Sequence, residues 1–135
     1  MIRQTIYLER ADGWKITCYY AVTHYEVDEI MRSLEDAGAK GKNLQTAYEN
    51  LSSGKSNTGL CFSGKGKSVI VISVASSASQ FVHSMFHEVH HLSCHIADQL
   101  GYDLMGEDVC YLSGEIAEKM FPVASKFMCE HCREH

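Results

Sequence analysis

Five of the chain's eight histidines fall between positions 83 and 95, within "FVHSMFHEVHHLSCHIADQL", residues 81–100. Four of them, His83, His87, His91 and His95, recur every four residues, and His87, Glu88 and His91 form His-Glu-x-x-His. In a helix, residues four apart share a face about one turn apart, so His87 and His91 can present two imidazole nitrogens to one ion. Glu88 projects about 100° around from His87, close to such an ion without ligating it. Zinc hydrolysis requires two neutral nitrogens, a third protein ligand, an open position for water and a carboxylate base beside it. The spacing therefore implies Zn2+ held by His87 and His91, with Glu88 as general base.

The same spacing also pairs His83 with His87 and His91 with His95, but only His87 is followed directly by a glutamate. A period of four drifts about 40° per step from the metal face, which makes His83 and His95 flanking groups and points His90 elsewhere. The competing reading is an amphipathic helix whose core stripe includes Phe86, Val89, Leu92 and Ile96, with the histidines as polar filler.

Such a helix needs elements to hold it. "QTIYLER" and "WKITCYYAV", separated by "ADG", are rich in β-branched and aromatic residues and read as a hairpin. "THYEVDEIMRSLEDAG" places Thr23 three residues before Glu26, a capping-box pattern, and ends at Gly38. A short helix follows in "NLQTAYENLSS", then the loop-like "SSGKSNTG", then a second hairpin in which "LCFS" and "SVIVISVA" flank "GKGK". The nearly unbroken apolar run from Val69 to Val74 is the mark of a central strand buried on both faces. The histidine helix is expected from about Ser79 to Leu100, and a last helix from about Glu107 to Phe121, which Pro122 ends or kinks.

The chain of 135 residues, 45% hydrophobic and 21% charged, with one proline, is read as one globular domain, 1–135. A formal net charge of -5 gives no basic field for phosphate backbones, so no nucleic-acid partner is expected. "GKGKS" is not a phosphate loop, because Cys61 stands where a glycine is required and a strand follows where a helix should; Lys65 and Lys67 read as hairpin-tip charges. "MIRQTIYLERADGWK" has neither the apolar run of a signal peptide nor that of an anchor, so a cytoplasmic protein with no membrane partner is expected. The six cysteines are then reduced thiols, most of them packing residues. "CEHC" (Cys129, Cys132) has metal-like spacing near His131 and His135 but supplies only half of a structural zinc site.

With the strand "SVIVIS" leading into the histidine run and "GYDLMGEDVCYLSGEI" after it, residues 57–121 resemble the small zincin metallopeptidases. More narrowly, they resemble the short zincin-like proteins of bacteriophages and bacterial mobile elements, in which an acid-x-x-small-Tyr-Leu segment follows His-Glu-x-x-His. The resemblance implies an α+β, minimal zincin-like domain, with a small antiparallel sheet of two hairpins packed on the active-site helix and further helices. It also implies a peptide or protein substrate.

The third ligand rests on that resemblance. A metzincin would need Gly at 94 and His at 97, where Cys94 and Ala97 stand. The gluzincin arrangement takes a glutamate from the next helix, and Glu107, four residues before Tyr111, matches the family's acid. Hairpin arithmetic disagrees, since a turn centred near Asp103 sets His91 opposite Glu115. An extended "GYDLMG" loop, spanning up to about 20 Å, would bring Glu107 back to the metal. Glu107 is favoured, with Glu115 second and Asp108 third; helix-dipole stabilisation alone also explains an acid at 107. Tyr111 is placed to hydrogen-bond the developing oxyanion, or else is a packing tyrosine. The functional expectation is a zinc metallopeptidase; the alternative is a zinc-binding regulatory module that keeps the fold without turnover. Less favoured is a nucleic-acid module using "CEHC", Lys126 and Arg133.

Overall fold

The computed structural model describes residues 1–23, 26–53 and 59–134. Both expected hairpins form. Strands β1 (Ile2–Leu8) and β2 (Trp14–Val22) pair antiparallel from Ile2↔Tyr20 to Leu8↔Trp14, and β3 (Gly59–Ser63) pairs antiparallel with β4 (Lys67–Ser73). The "ADG" turn holds Asp12 and Gly13 at φ 53° and 77°, in the left-handed region these residue types tolerate.

The expectation of an antiparallel sheet needs correction. The hairpins join through a parallel β2–β4 ladder in the order β1-β2-β4-β3, so the sheet is mixed. A parallel neighbour requires a long crossover, and two helices supply it, α1 (Val27–Asp36) and α2 (Lys42–Ser53). Ahead of α1 the Glu26 carboxylate reaches back to Thr23, accepting from its N–H at 2.8 Å and its hydroxyl at 2.6 Å. Most of the "SSGKSNTG" loop, His24 and Tyr25 ahead of α1, and His135 lie outside the described residues.

Strand alternation divides the apolar residues between two cores. Ile16, Cys18, Tyr20, Ile70 and Ile72 face α3 (Ala78–Gln99) and α4 (Glu107–Ala124), whereas Tyr19, Val69 and Val71 face α1 and α2. β4 is the expected central strand, buried from Ser68 to Ile72; Val74, beyond it, is exposed.

Helix α3 positions the histidines. Ser77 Oγ accepts from the Gln80 N–H at 3.2 Å, and Glu130, at the start of α5 (Glu130–Glu134), accepts from the Ala78 N–H at 2.6 Å, so two otherwise unpaired donors are satisfied. The buried stripe is Phe81, Met85, Val89, Leu92 and Ile96; Phe86, assigned to it from the sequence, is exposed. Truncating the fully buried Leu92 to alanine should cost about 2–5 kcal/mol. Gly101, at φ 76°, ends the helix in a conformation that disfavours any residue with a Cβ. Pro122 does not end α4, which continues to Ala124. Among the described residues no helix is long and apolar enough to cross a membrane.

Candidate functional site

His87 and His91 are both exposed on α3, their rings 4.9 Å apart and nearly perpendicular. Glu88 is only 4% exposed, and one of its carboxylate oxygens lies 3.9 Å from His87 Nε2. The helix thus turns two imidazoles toward solvent and one carboxylate under β3. His83 and His95 extend the row, with ring separations of 6.2 Å to His87 and 6.3 Å to His91. His90 leaves the row, as its spacing requires, and approaches Cys94 Sγ at 3.9 Å.

Above Glu88 lies Cys61 of β3, a residue that sequence reasoning had placed among packing thiols. Its thiol hydrogen-bonds the Glu88 carboxylate, and its sulfur lies 4.0 Å from His95 Nδ1. Burial pushes the Cys61 thiol up to about 12, and the adjacent carboxylate adds to the rise, so it remains protonated. Burial first, and then His91, hold His95 below the usual histidine value against the opposing pull of Glu88 and Asp98. The period-two alternation of "LCFS", which turns Cys61 away from Leu60 and Phe62, was the one signal that could have singled it out.

The register of α4 decides the remaining residues. Ser113 Oγ bonds Ser93 Oγ at 2.8 Å, and Met85 and Val89 share a small cavity with Gly114 and Ala117, so the helices run antiparallel about Asp103. Hairpin arithmetic is correct in level, because His91 and Glu115 are equidistant from this contact. It is wrong in face. Glu115 sits about 200° around α4 from Ser113, accepting from the N–H groups of Glu9 (2.7 Å) and Arg10 (3.3 Å) and pairing with Lys119 (3.3 Å). Tyr111 shares that outer face, with the Arg10 guanidinium 4.3 Å from its ring centre, and is not brought to the histidines.

Glu107 is not brought beside them either. The "GYDLMG" loop does not extend; it closes through Tyr102 N–H to Ala97 C=O at 2.8 Å and Gly106 N–H to Asp103 C=O at 3.0 Å. Glu107 therefore starts α4 near the end of α3, about 12 Å along the axis from the level of His91, by the helical rise from the Ser93–Ser113 contact. Glu107 and Asp108 are exposed, and among the described residues no hydrogen bond or ion pair engages their side chains.

No family model, curated protein or solved structure matches this chain. The site therefore stands on its own residues. Its donors fit zinc in part: two exposed imidazoles one turn apart, with a carboxylate held beside them. Among the described residues no three His, Cys, Asp or Glu side chains are gathered so as to hold an ion. "CEHC" is no better placed, its cysteines being exposed; Cys129 is lowered by hydrogen bonds from Cys132 and His131, and Cys132 is raised in consequence.

Proposed function

We propose that the chain is a zinc-dependent metallopeptidase of minimal zincin-like fold, with His87 and His91 as zinc ligands and Glu88 as general base. The observation that carries this reading is the pair of exposed imidazoles flanking a buried carboxylate on one helix. Glu115 is committed to Glu9, Arg10 and Lys119, so the third ligand is proposed to be Glu107, on which the resemblance falls. Ligation by it requires the start of α4 to move toward the histidine pair from its place in this structure. Bound zinc would supply a Lewis acid for the scissile carbonyl and a water acidified to near neutral pH.

The chain's own groups supply the rest. Glu88 takes a proton on a carboxylate oxygen and returns it to the leaving amine; Cys61 and His87 lie against the carboxylate and orient it. β3 ends the sheet, and among the described residues no strand pairs with its outer edge, where an extended peptide would add. At its start Gly59 is obligatory, since at φ 130° a Cβ there would lie 1.8 Å from the Val71 carbonyl oxygen. A cavity of about 470 Å³ lined by Leu60, Cys61, Phe62 and His95 gives side chains room beside that strand. A peptide or protein substrate fits this arrangement, and neither nucleic acid nor membrane is invoked.

One observation favours the second reading, a zinc-binding module without turnover: the axial offset of Glu107 from the histidine pair. A peptide library read by mass spectrometry separates the two. Cleavage by the wild type that falls about 10²- to 10⁴-fold in Glu88→Gln supports the peptidase. Equal cleavage by both proteins, or none by the wild type loaded with zinc, refutes it.

A further inference from the structure

The opposite face of the sheet is only partly covered. α1 and α2 pack on Tyr19, Val69 and Val71, and beside them a cavity of about 340 Å³ opens between the sheet and α1. Its charged lining comes from four elements: Arg3 of β1, Lys15 of β2, Lys67 of β4, and Glu29, Arg32 and Asp36 of α1. Four cations against two carboxylates leave an excess of two positive charges in a chain whose formal net charge is -5.

The carboxylates do not neutralise the site. Glu29 pairs with Arg3 at 3.6 Å and Asp36 with Lys67 at 3.5 Å, while among the described residues no ion pair or hydrogen bond engages the side chains of Lys15 and Arg32. Lys15 and Lys67 are moreover register partners on adjacent parallel strands, so both side chains leave the same face of the sheet and line the same cavity. Like charges on neighbouring strands repel, and an anion lodged between them would turn that repulsion into attraction. All four cations line one concavity, and two of them are arginines, whose planar donors suit phosphate oxygens.

We propose that this cavity binds a dianionic phosphate monoester carried by a small metabolite. The excess of two charges matches the roughly -1.5 to -2 of a phosphate monoester at pH 7. The volume lies at the lower end of the small-ligand range of about 300–1,000 Å³, enough for the phosphate and a moiety of sugar size. The site is on the face of the sheet away from α3 and is independent of the zinc reading.

The test is calorimetric titration of the full chain, treated with a chelator, with inorganic phosphate, glucose 6-phosphate and AMP, and with glucose and adenosine as uncharged controls. The expected result is saturable binding of the phosphorylated probes alone, weakening as salt rises, and weaker by about tenfold or more in each of Lys15→Gln and Arg32→Gln. Lys65→Gln, at the hairpin tip outside the cavity, should leave affinity unchanged. Circular dichroism of the variants establishes that they are folded. Absence of saturable binding at millimolar probe, equal affinity in Lys15→Gln and Arg32→Gln, or binding that appears only when zinc is restored would each overturn the proposal.

Discussion

Ser113 hydrogen-bonds Ser93 across 2.8 Å, and this contact marks the register in which α4 packs on α3. It puts Glu115 level with His91 but on the far side of its own helix, and Glu107 beyond the end of the histidine row. Glu107→Ala should therefore alter stability by no more than about 0.5 kcal/mol, as an exposed acid does. If Glu107 is the third ligand, the same change lowers zinc affinity strongly, because a ligand bond and its charge are lost together. Competition with a chromophoric chelator measures it; unchanged affinity removes Glu107 from the site.

Glu115→Ala should behave in the opposite way. It deprives two backbone N–H groups and Lys119 of their acceptor, and leaving such groups unpaired costs about 1–3 kcal/mol each where they are buried, less where water reaches them. Denaturant unfolding should show a clear loss of stability with zinc affinity unchanged. A variant as stable as the wild type would contradict the assigned role.

Acid should unfold the protein partly through this residue. Burial raises the Glu115 carboxyl, but the N–H groups of Glu9 and Arg10 and the Lys119 ammonium outweigh it, so its folded pKa lies below the ordinary value. Glu26 shifts in the same direction, with burial outweighed by the hydroxyl and N–H of Thr23 and by the N-terminal ammonium. A depressed carboxyl contributes stability above its unfolded pKa of about 4.3 and loses it as pH falls through the folded value. Glu115→Gln should flatten the decline in stability below about pH 4, approaching the wild type at the acid end. An unchanged slope would show that the carboxylate is not coupled to folding.

The cysteines should separate by reactivity. Cys18 and Cys61 are both raised to about 12, chiefly by burial, whereas Cys129 is lowered by hydrogen bonds from Cys132 and His131. Because the thiolate is the nucleophile, alkylation at neutral pH, followed peptide by peptide in a mass spectrometer, should label Cys129 early and Cys18 and Cys61 last. Early labelling of Cys61 would mean that β3 does not cover Glu88.

Both hairpins, the central strand, the histidine helix and its partner were legible in the sequence, because alternation, turn residues and four-residue spacing are local signals. The parallel joining of β2 to β4 was not, since strand order depends on where α1 and α2 pack rather than on any residue within the strands. Within the site, the mutual placement of His87, Glu88 and His91 followed from helical geometry alone. The contact of Cys61 with Glu88 joins residues 27 positions apart across two elements, and no spacing announces it. The side on which α4 lies against α3 was equally hidden. Glu115 was therefore read at the right level of α4 and on the wrong face, and Tyr111, expected beside the metal with Glu107, lies on that same outer face.

The central claim is that α3 holds zinc through His87 and His91. Elemental analysis of the purified protein and of its His87→Ala and His91→Ala variants, alongside circular dichroism, tests it most directly. The account predicts about one zinc per wild-type chain and little in either variant, with helical content retained because both side chains are exposed. Equal zinc in all three proteins, or none in the wild type after purification with zinc supplied, would contradict it.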